Sequence, residues 1–159
     1  MHEEIQKYRD RLADNPNDLE ALAGLEAGLI NDRDWEGLFA HAVERTSLVS
    51  GDDARQEWMR LAAELEQCAA DSSDPALGAD LAVVIGEILD ERLGLIEDAY
   101  VLYQRAWRLD PTSQKAIRGL RSIYERLQRW DRVVQLLNLE ARGVEDARQK
   151  ARLYTLMSN

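Results

Sequence analysis

Cysteine, proline and long apolar runs are all scarce in this sequence of 159 residues. The only cysteine, Cys68, cannot form an internal disulfide and has no second thiol for a cysteine-based metal site. The first residues, MHEEIQKYRDRL, are charged and lack the apolar core of a signal peptide, and no run approaches the roughly 18 apolar residues of a membrane span. We therefore expect a cytoplasmic protein that does not bind membranes.

The composition favours helix throughout. The chain has 3 prolines, 9 glycines and few β-branched residues, against abundant Leu, Ala, Glu and Arg, so we expect no sheet. Short breakers separate amphipathic stretches with apolar residues three and four positions apart, which predicts antiparallel neighbouring helices. Nine helices are predicted, over residues 2–14, 18–31, 35–49, 53–71, 76–93, 96–109, 113–128, 131–142 and 146–158. Plausible N-caps are Asp18, Asp34, Asp53 and Ser113.

An internal repeat is visible in two stretches of the chain. Residues 16–35, PNDLEALAGLEAGLINDRDW, correspond to residues 111–130, PTSQKAIRGLRSIYERLQRW, 95 positions later. The matching pairs are Pro16/Pro111, Ala21/Ala116, Gly24/Gly119, Leu25/Leu120 and Trp35/Trp130, and DARQ occurs at both 53–56 and 146–149. Apolar and turn residues are kept while polar residues differ, which is typical of a repeated structural unit.

Residues 81–111, LAVVIGEILDERLGLIEDAYVLYQRAWRLDP, resemble the tetratricopeptide repeat. The first helix of that pattern is matched by Ala82, Ile85, Gly86 and Leu89, the second by Ala99 and Tyr103, and the end by Pro111, while Ala106 adds a small residue where the helices would cross. Two further units in phase carry Leu22, Leu25, Leu29, Leu38 and Ala42, and Ile117, Leu120, Tyr124, Val133 and Leu137. Both are degenerate, because Glu26 and Arg121 replace a small residue.

The resemblance implies an all-α fold: an α-solenoid of antiparallel helix pairs, a single domain over residues 1–159. The first-helix match at Trp58 precedes the one at Ala82 by 24 residues, whereas a helix pair needs about 34. One irregular, unpaired helix is therefore predicted near 53–93, where either the superhelix kinks or helix 76–93 serves both sides. The end helices look uncapped, so we expect a segment of a longer array or a protein whose ends stack on something.

Residue sets that support catalysis are missing from the sequence. The histidines, His2 and His41, lie in different predicted helices, and there is no His-Glu-x-x-His, no Cys-His pairing and no glycine-rich phosphate loop. No His, Cys and carboxylate cluster has metal-ligand spacing. We expect a protein that is not an enzyme and uses no cofactor or metal. Trp35 and Trp130, at equivalent turns, are expected to plug gaps between helices.

Charge is distributed unevenly along the chain. The net charge of -10 disfavours nucleic acid as a partner, yet residues 1–98 carry 8 Lys and Arg against 24 Asp and Glu, and residues 99–159 carry 12 against 6. The resemblance implies a concave groove, lined by the first helix of each pair, in which partner peptides bind. The implied groove positions are Glu20, Ala23, Ala27, Ile30 and Asn31; Asp80, Val83, Glu87, Asp90 and Glu91; and Lys115, Arg118, Ser122, Glu125 and Arg126.

A partner-binding site is predicted on the last two of these groups. Lys115, Arg118, Ser122 and Arg126 share one helical face and could receive an acidic peptide, with Asp80, Glu87 and Asp90 on the unit before. The paired Lys and Asn with which some family members hold a C-terminal carboxylate are missing. Our leading hypothesis is a non-enzymatic scaffold that binds a protein segment in the groove. The alternatives are a solvated basic face without a ligand and a structural module that stacks head to tail through its terminal helices.

Overall fold

The computed structural model describes residues 2–143 and residue 156, with the backbone alone for His2 and Gly143. Within residues 2–143 the chain forms eight α-helices and no strand, which confirms the all-α prediction for this part of the chain. The helices are α1 (His2–Asp14), α2 (Leu19–Asn31), α3 (Trp35–Thr46), α4 (Gly51–Asp71), α5 (Pro75–Glu87), α6 (Ile96–Leu109), α7 (Gln114–Arg126) and α8 (Trp130–Gly143). The helix predicted over 146–158 lies outside the described residues, apart from Leu156, which is helical and exposed.

Side-chain caps fix where several helices begin. The Asp18, Asp34 and Ser113 side chains accept hydrogen bonds from the backbone N–H groups of Ala21, Gly37 and Ala116, at 3.1, 2.9 and 3.2 Å. The prediction of Asp53 as an N-cap is wrong, because α4 already begins at Gly51 and Asp53 lies in its first turn. There its carboxylate accepts a hydrogen bond from the Ser50 hydroxyl.

The helices form two compact units, Met1–Ala54 and Arg55–Asn159, here called unit 1 and unit 2. In unit 1, α1 packs on α2 and α2 on α3, around a core of Ile5, Leu22, Leu25, Leu29 and Leu38. In unit 2, α5 packs on α6, α6 on α7 and α7 on α8, and α5 also contacts α7. The single domain over 1–159 stays a prediction.

The repeat seen in the sequence has the same local structure in both units. Helix α2 begins at Leu19 and ends at Asn31, and α7 begins and ends 95 positions later, at Gln114 and Arg126. In the turn that follows each helix, Arg33 and Gln128 adopt the left-handed conformation, with φ of 56° and 57°. Because this conformation is uncommon for residues other than glycine, its recurrence at equivalent positions marks the same helix–turn–helix geometry twice.

The region near 53–93 contains a long helix and a change of helical type. Helix α5 passes into a π-helical turn, Ile88–Arg92, where the sequence predicted one continuous helix to residue 93. Helix α4 contacts this turn and α6 through its side chains: Arg55 donates to the Leu93 carbonyl at 3.0 Å, and Arg92 lies over the Trp58 ring. Glu66 forms an ion pair with Arg105 at 2.8 Å. The apolar face of α4, with Trp58, Leu61, Ala62 and Leu65, is buried.

Two further observations complete the fold. Trp130 is 58% exposed at the start of α8, so the prediction that it plugs a gap between helices is wrong, whereas Trp35 is half-buried. None of the described helices is both long enough and apolar enough to cross a bilayer.

Candidate partner-binding surface on helices α5 and α7

The ring of Tyr103 on α6 lies against both helices that carry predicted site residues, α5 and α7. A methyl group on Gly86 of α5 would lie 2.8 Å from this ring, and one on Gly119 of α7 would lie 2.7 Å from it. Tyr103 is almost fully buried. Glycine at both positions therefore lets α5 and α7 approach the same aromatic ring closely.

An ion pair joins α7 to the π-helical turn beside this ring. The Arg126 guanidinium donates two hydrogen bonds to the carboxylate of Asp90, each of 2.8 Å, in a bidentate arrangement. The Asp90 side chain is 12% exposed and that of Arg126 is 42% exposed. Two of the predicted ligand-binding residues thus bind each other, and Arg126 serves to hold α7 against the π-helical turn.

The acidic groups in this region modify the titration of their neighbours. Burial raises the pKa of Glu87, Glu91 raises it further, and Lys115 on α7 acts in the opposite direction. Burial, followed by the negative charge of Asp90, also raises the pKa of the Tyr103 phenol, so that Tyr103 remains protonated. The α5 side of the surface is therefore an acidic region whose charge is partly offset by cations of α7.

The remaining predicted residues are open to solvent. Lys115, Arg118 and Ser122 are exposed on α7, and among the described residues neither Lys115 nor Arg118 takes part in an ion pair. Asp80 is exposed on α5, seven residues before Glu87 and so on the same side of that helix. Lys115 and Arg118 are the cations that remain available to an acidic ligand. In unit 1 the equivalent positions Glu20, Ala23, Ala27 and Asn31 are exposed and Ile30 is half-buried.

Arg121 differs from its neighbours in the basic stretch because it points towards α8. Its Nε donates to the Glu140 carboxylate, Nη2 donates to the same carboxylate at 3.4 Å, and Nη1 donates to Glu125 at 3.0 Å. Glu140 is 2% exposed, the one buried charged residue among those that the structure describes. Arg121 is thus a packing residue. The repeat carries the same two charges in reverse order, with Glu26 and Arg45 at the equivalent positions of unit 1.

The part of this surface that sequence reasoning missed is the pairing of Tyr103 with two glycines. The signal was present, because Tyr8 and Gly24 stand 95 positions before Tyr103 and Gly119. In unit 1 a methyl group on Gly24 would likewise collide with the Tyr8 ring. An aromatic residue repeated at a fixed distance from a repeated glycine indicates a helix contact.

No group of three or more His, Cys, Asp or Glu side chains in the described part of the chain is placed to hold a metal ion. Arg126 of α7 is paired with Asp90 of the π-helical turn, and Lys115 and Arg118 stay exposed on α7, an arrangement suited to recognising a charged segment. No protein-family model, curated protein or solved structure matches this chain.

Proposed function

We propose that this protein is a non-enzymatic interaction module that resembles tetratricopeptide repeats and binds an acidic protein segment across α5 and α7. The observation that carries the proposal is the pair of exposed cations, Lys115 and Arg118, one turn apart on α7, the helix whose Gly119 packs on the Tyr103 ring. Both side chains project from a helix that is already fixed to its neighbours. A partner therefore meets cations on a preformed surface, which lowers the entropic cost of binding.

The acids that lie near Lys115 and Arg126 indicate where on this surface a partner's acidic residues would bind. Asp90 is paired with Arg126, and Glu87 lies close enough to Lys115 for the two to affect each other's charge. An acidic residue of the partner gains from Lys115 and Arg118 and is repelled by Glu87 and Glu91. The partner's acids are therefore expected to lie over the first two turns of α7, away from the π-helical turn.

The test is selection of peptides from a random phage-displayed library, with the full chain immobilised. The proposal expects clones enriched in Asp and Glu whose affinity falls about tenfold or more in the double variant Lys115→Glu/Arg118→Glu, because two favourable charge contacts become repulsive. The matched control is Arg108→Glu/Arg132→Glu, which makes the same change in net charge at exposed residues of α6 and α8.

Two results would count against the proposal. One is a set of binding clones without enrichment in acidic residues. The other is an equal loss of affinity in the two double variants, which would attribute binding to net charge and not to the α5–α7 surface.

A further inference from the structure

Unit 1 contains an open cavity of about 580 Å³ between its three helices. Its walls are apolar where α1 and α2 contribute Leu12, Leu22 and Leu25, and His41 of α3 closes one side. Arg9 and Glu44 lie at the cavity as well. The volume lies within the range of small-molecule sites.

The repeat explains why the space is there. In unit 2 the equivalent space is occupied, because Trp107 and Leu139 pack against the core cluster that contains Leu120 and Leu136. Unit 1 has smaller or more polar residues at three equivalent positions. Leu12 of unit 1 corresponds to Trp107 of unit 2, His41 corresponds to Leu136, and Glu44 corresponds to Leu139. The walls under the space, Leu22 and Leu25, correspond to Ile117 and Leu120 and remain apolar. Unit 1 therefore has an open cavity at the position where unit 2 holds the indole ring of Trp107.

His41 supplies a polar group at this cavity. Its Nε2 atom is buried and has no hydrogen-bond partner among the described residues. Burial, followed by the charge of Arg45, lowers the pKa of His41, which keeps the ring neutral at neutral pH. A neutral imidazole carries one nitrogen that accepts a hydrogen bond, and a buried nitrogen without a partner costs stability.

We propose that this cavity binds a planar aromatic ring that bears an N–H donor, of the indole class. The ring occupies the space that Trp107 fills in unit 2, and its N–H donates to Nε2 of His41 once the imidazole turns this buried atom towards the cavity. The site lies on unit 1 and is independent of the acidic-segment surface on α5 and α7, so either proposal can fail without the other.

The test uses the full chain and three probes: indole, N-methylindole and N-acetyltryptophanamide. Titrations are followed by NMR of the methyl groups of Leu12, Leu22 and Leu25 and of the His41 ring. Indole is expected to shift these signals, and N-methylindole to bind about three- to tenfold more weakly, because it lacks the donor. Binding of N-acetyltryptophanamide alongside indole would identify the occupant as a polypeptide side chain, whereas binding of indole alone would identify a free small molecule.

Two variants copy unit 2 into unit 1. Leu12→Trp places an indole in the cavity and is expected to abolish indole binding while raising the melting temperature. His41→Leu keeps most of the cavity and is expected to equalise the affinities for indole and N-methylindole. The control Leu19→Trp makes the same exchange at a residue of α2 that is 77% exposed, and it is expected to bind indole like the natural chain.

Several outcomes would overturn the proposal. Absence of indole-induced shifts at the cavity residues would do so, as would indole binding to Leu12→Trp with unchanged affinity. Equal affinity of the natural chain for indole and N-methylindole would remove the role of His41, and with it the class of ligand proposed. Should Leu12→Trp fail to fold, His41→Leu still decides the question, since its discrimination between the two probes is measured independently.

Discussion

The ring of Tyr103 leaves no room for a methyl group on Gly86 or on Gly119. We expect Gly119→Ala to lower the free energy of unfolding by about 1–3 kcal/mol, because the new Cβ would lie 2.7 Å from a buried ring that also packs closely on Gly86. The overpacking outweighs the gain in helix propensity. Urea unfolding checks this, with Gly51→Ala as the control. A methyl group there meets nothing within 4 Å, and its effect should stay within about 0.5 kcal/mol.

The half-buried position of His41 leads us to expect that the stability of the protein depends on pH. Its folded-state pKa is lowered by burial, so as pH falls the unfolded chain is protonated first, near the ordinary value of 6.5. The natural chain should therefore lose stability as pH falls through that value towards the lowered pKa. Four charged groups act on His41: Arg45 and Arg9 lower its pKa, and Glu26 and Glu44 raise it.

The measurement compares urea unfolding of the natural chain and His41→Leu at pH 7.5 and pH 5.5. Other groups titrate alike in both proteins. The free energy of unfolding of His41→Leu, relative to that of the natural chain, should therefore be higher at pH 5.5 than at pH 7.5. A difference between the two proteins that is the same at both pH values would contradict the prediction.

Single residues were predictable where local chemistry decides their role. Asp18, Asp34 and Ser113 precede amphipathic stretches, and a cap needs only its own helix. Arg126 was placed on the correct helix and Asp90 on a continuous helix that ends in the π-helical turn, and both were expected to face a ligand. Their mutual ion pair spans 36 residues. Pairing over that distance depends on how helices pack, which a charge pattern does not specify.

At the scale of helices, α4 packs in unit 2 through a buried apolar face and a few directed contacts, and Arg55 makes the first of these contacts. Arg55→Ala should lower the free energy of unfolding by about 1 kcal/mol, because the Leu93 carbonyl loses a charged donor at 3.0 Å. Hydrogen exchange should become faster in the first turns of α4. Arg108→Ala removes an exposed arginine from α6 and serves as the control. Equal exchange in the two variants would show that the Arg55 contact does not hold α4.

Helix boundaries were predictable wherever a breaker coincides with a change in periodicity. The predicted 96–109 helix agrees with α6, since the Leu-Gly-Leu stretch before it and Asp110-Pro111 after it interrupt the pattern. The π-helical turn was not predictable, because Ile88–Arg92 has good helix formers and no breaker. Its wider backbone places Asp90 at Arg126, a tertiary contact that local propensity does not contain.

At the scale of the whole molecule, the uneven charge leads to a prediction about assembly. Residues 1–98 carry an excess of acids and residues 99–159 an excess of bases, so head-to-tail stacking would be strengthened at low salt. An interaction module that binds other proteins should instead remain at 18.1 kDa. Light scattering after size exclusion, over a hundredfold range of concentration and at two salt levels, distinguishes the two. Mass that grows with concentration and shrinks with salt would favour the stacking module.

The charged pair Glu26 and Arg45 of unit 1 has the reverse order of Arg121 and Glu140 in unit 2. This reversal affects which helices can pack together while a chain with two similar halves folds. Helices α3 and α8 are similar enough that either could pack against α2 or α7 during folding, and such misassembly is a known failure of repetitive chains. If α8 docked on α2, Glu140 would face Glu26; if α3 docked on α7, Arg45 would face Arg121. Both mismatches would set like charges together at buried or half-buried positions, at a cost that opposite charges avoid. We therefore expect the reversed charges to disfavour packing of α8 on α2 and of α3 on α7.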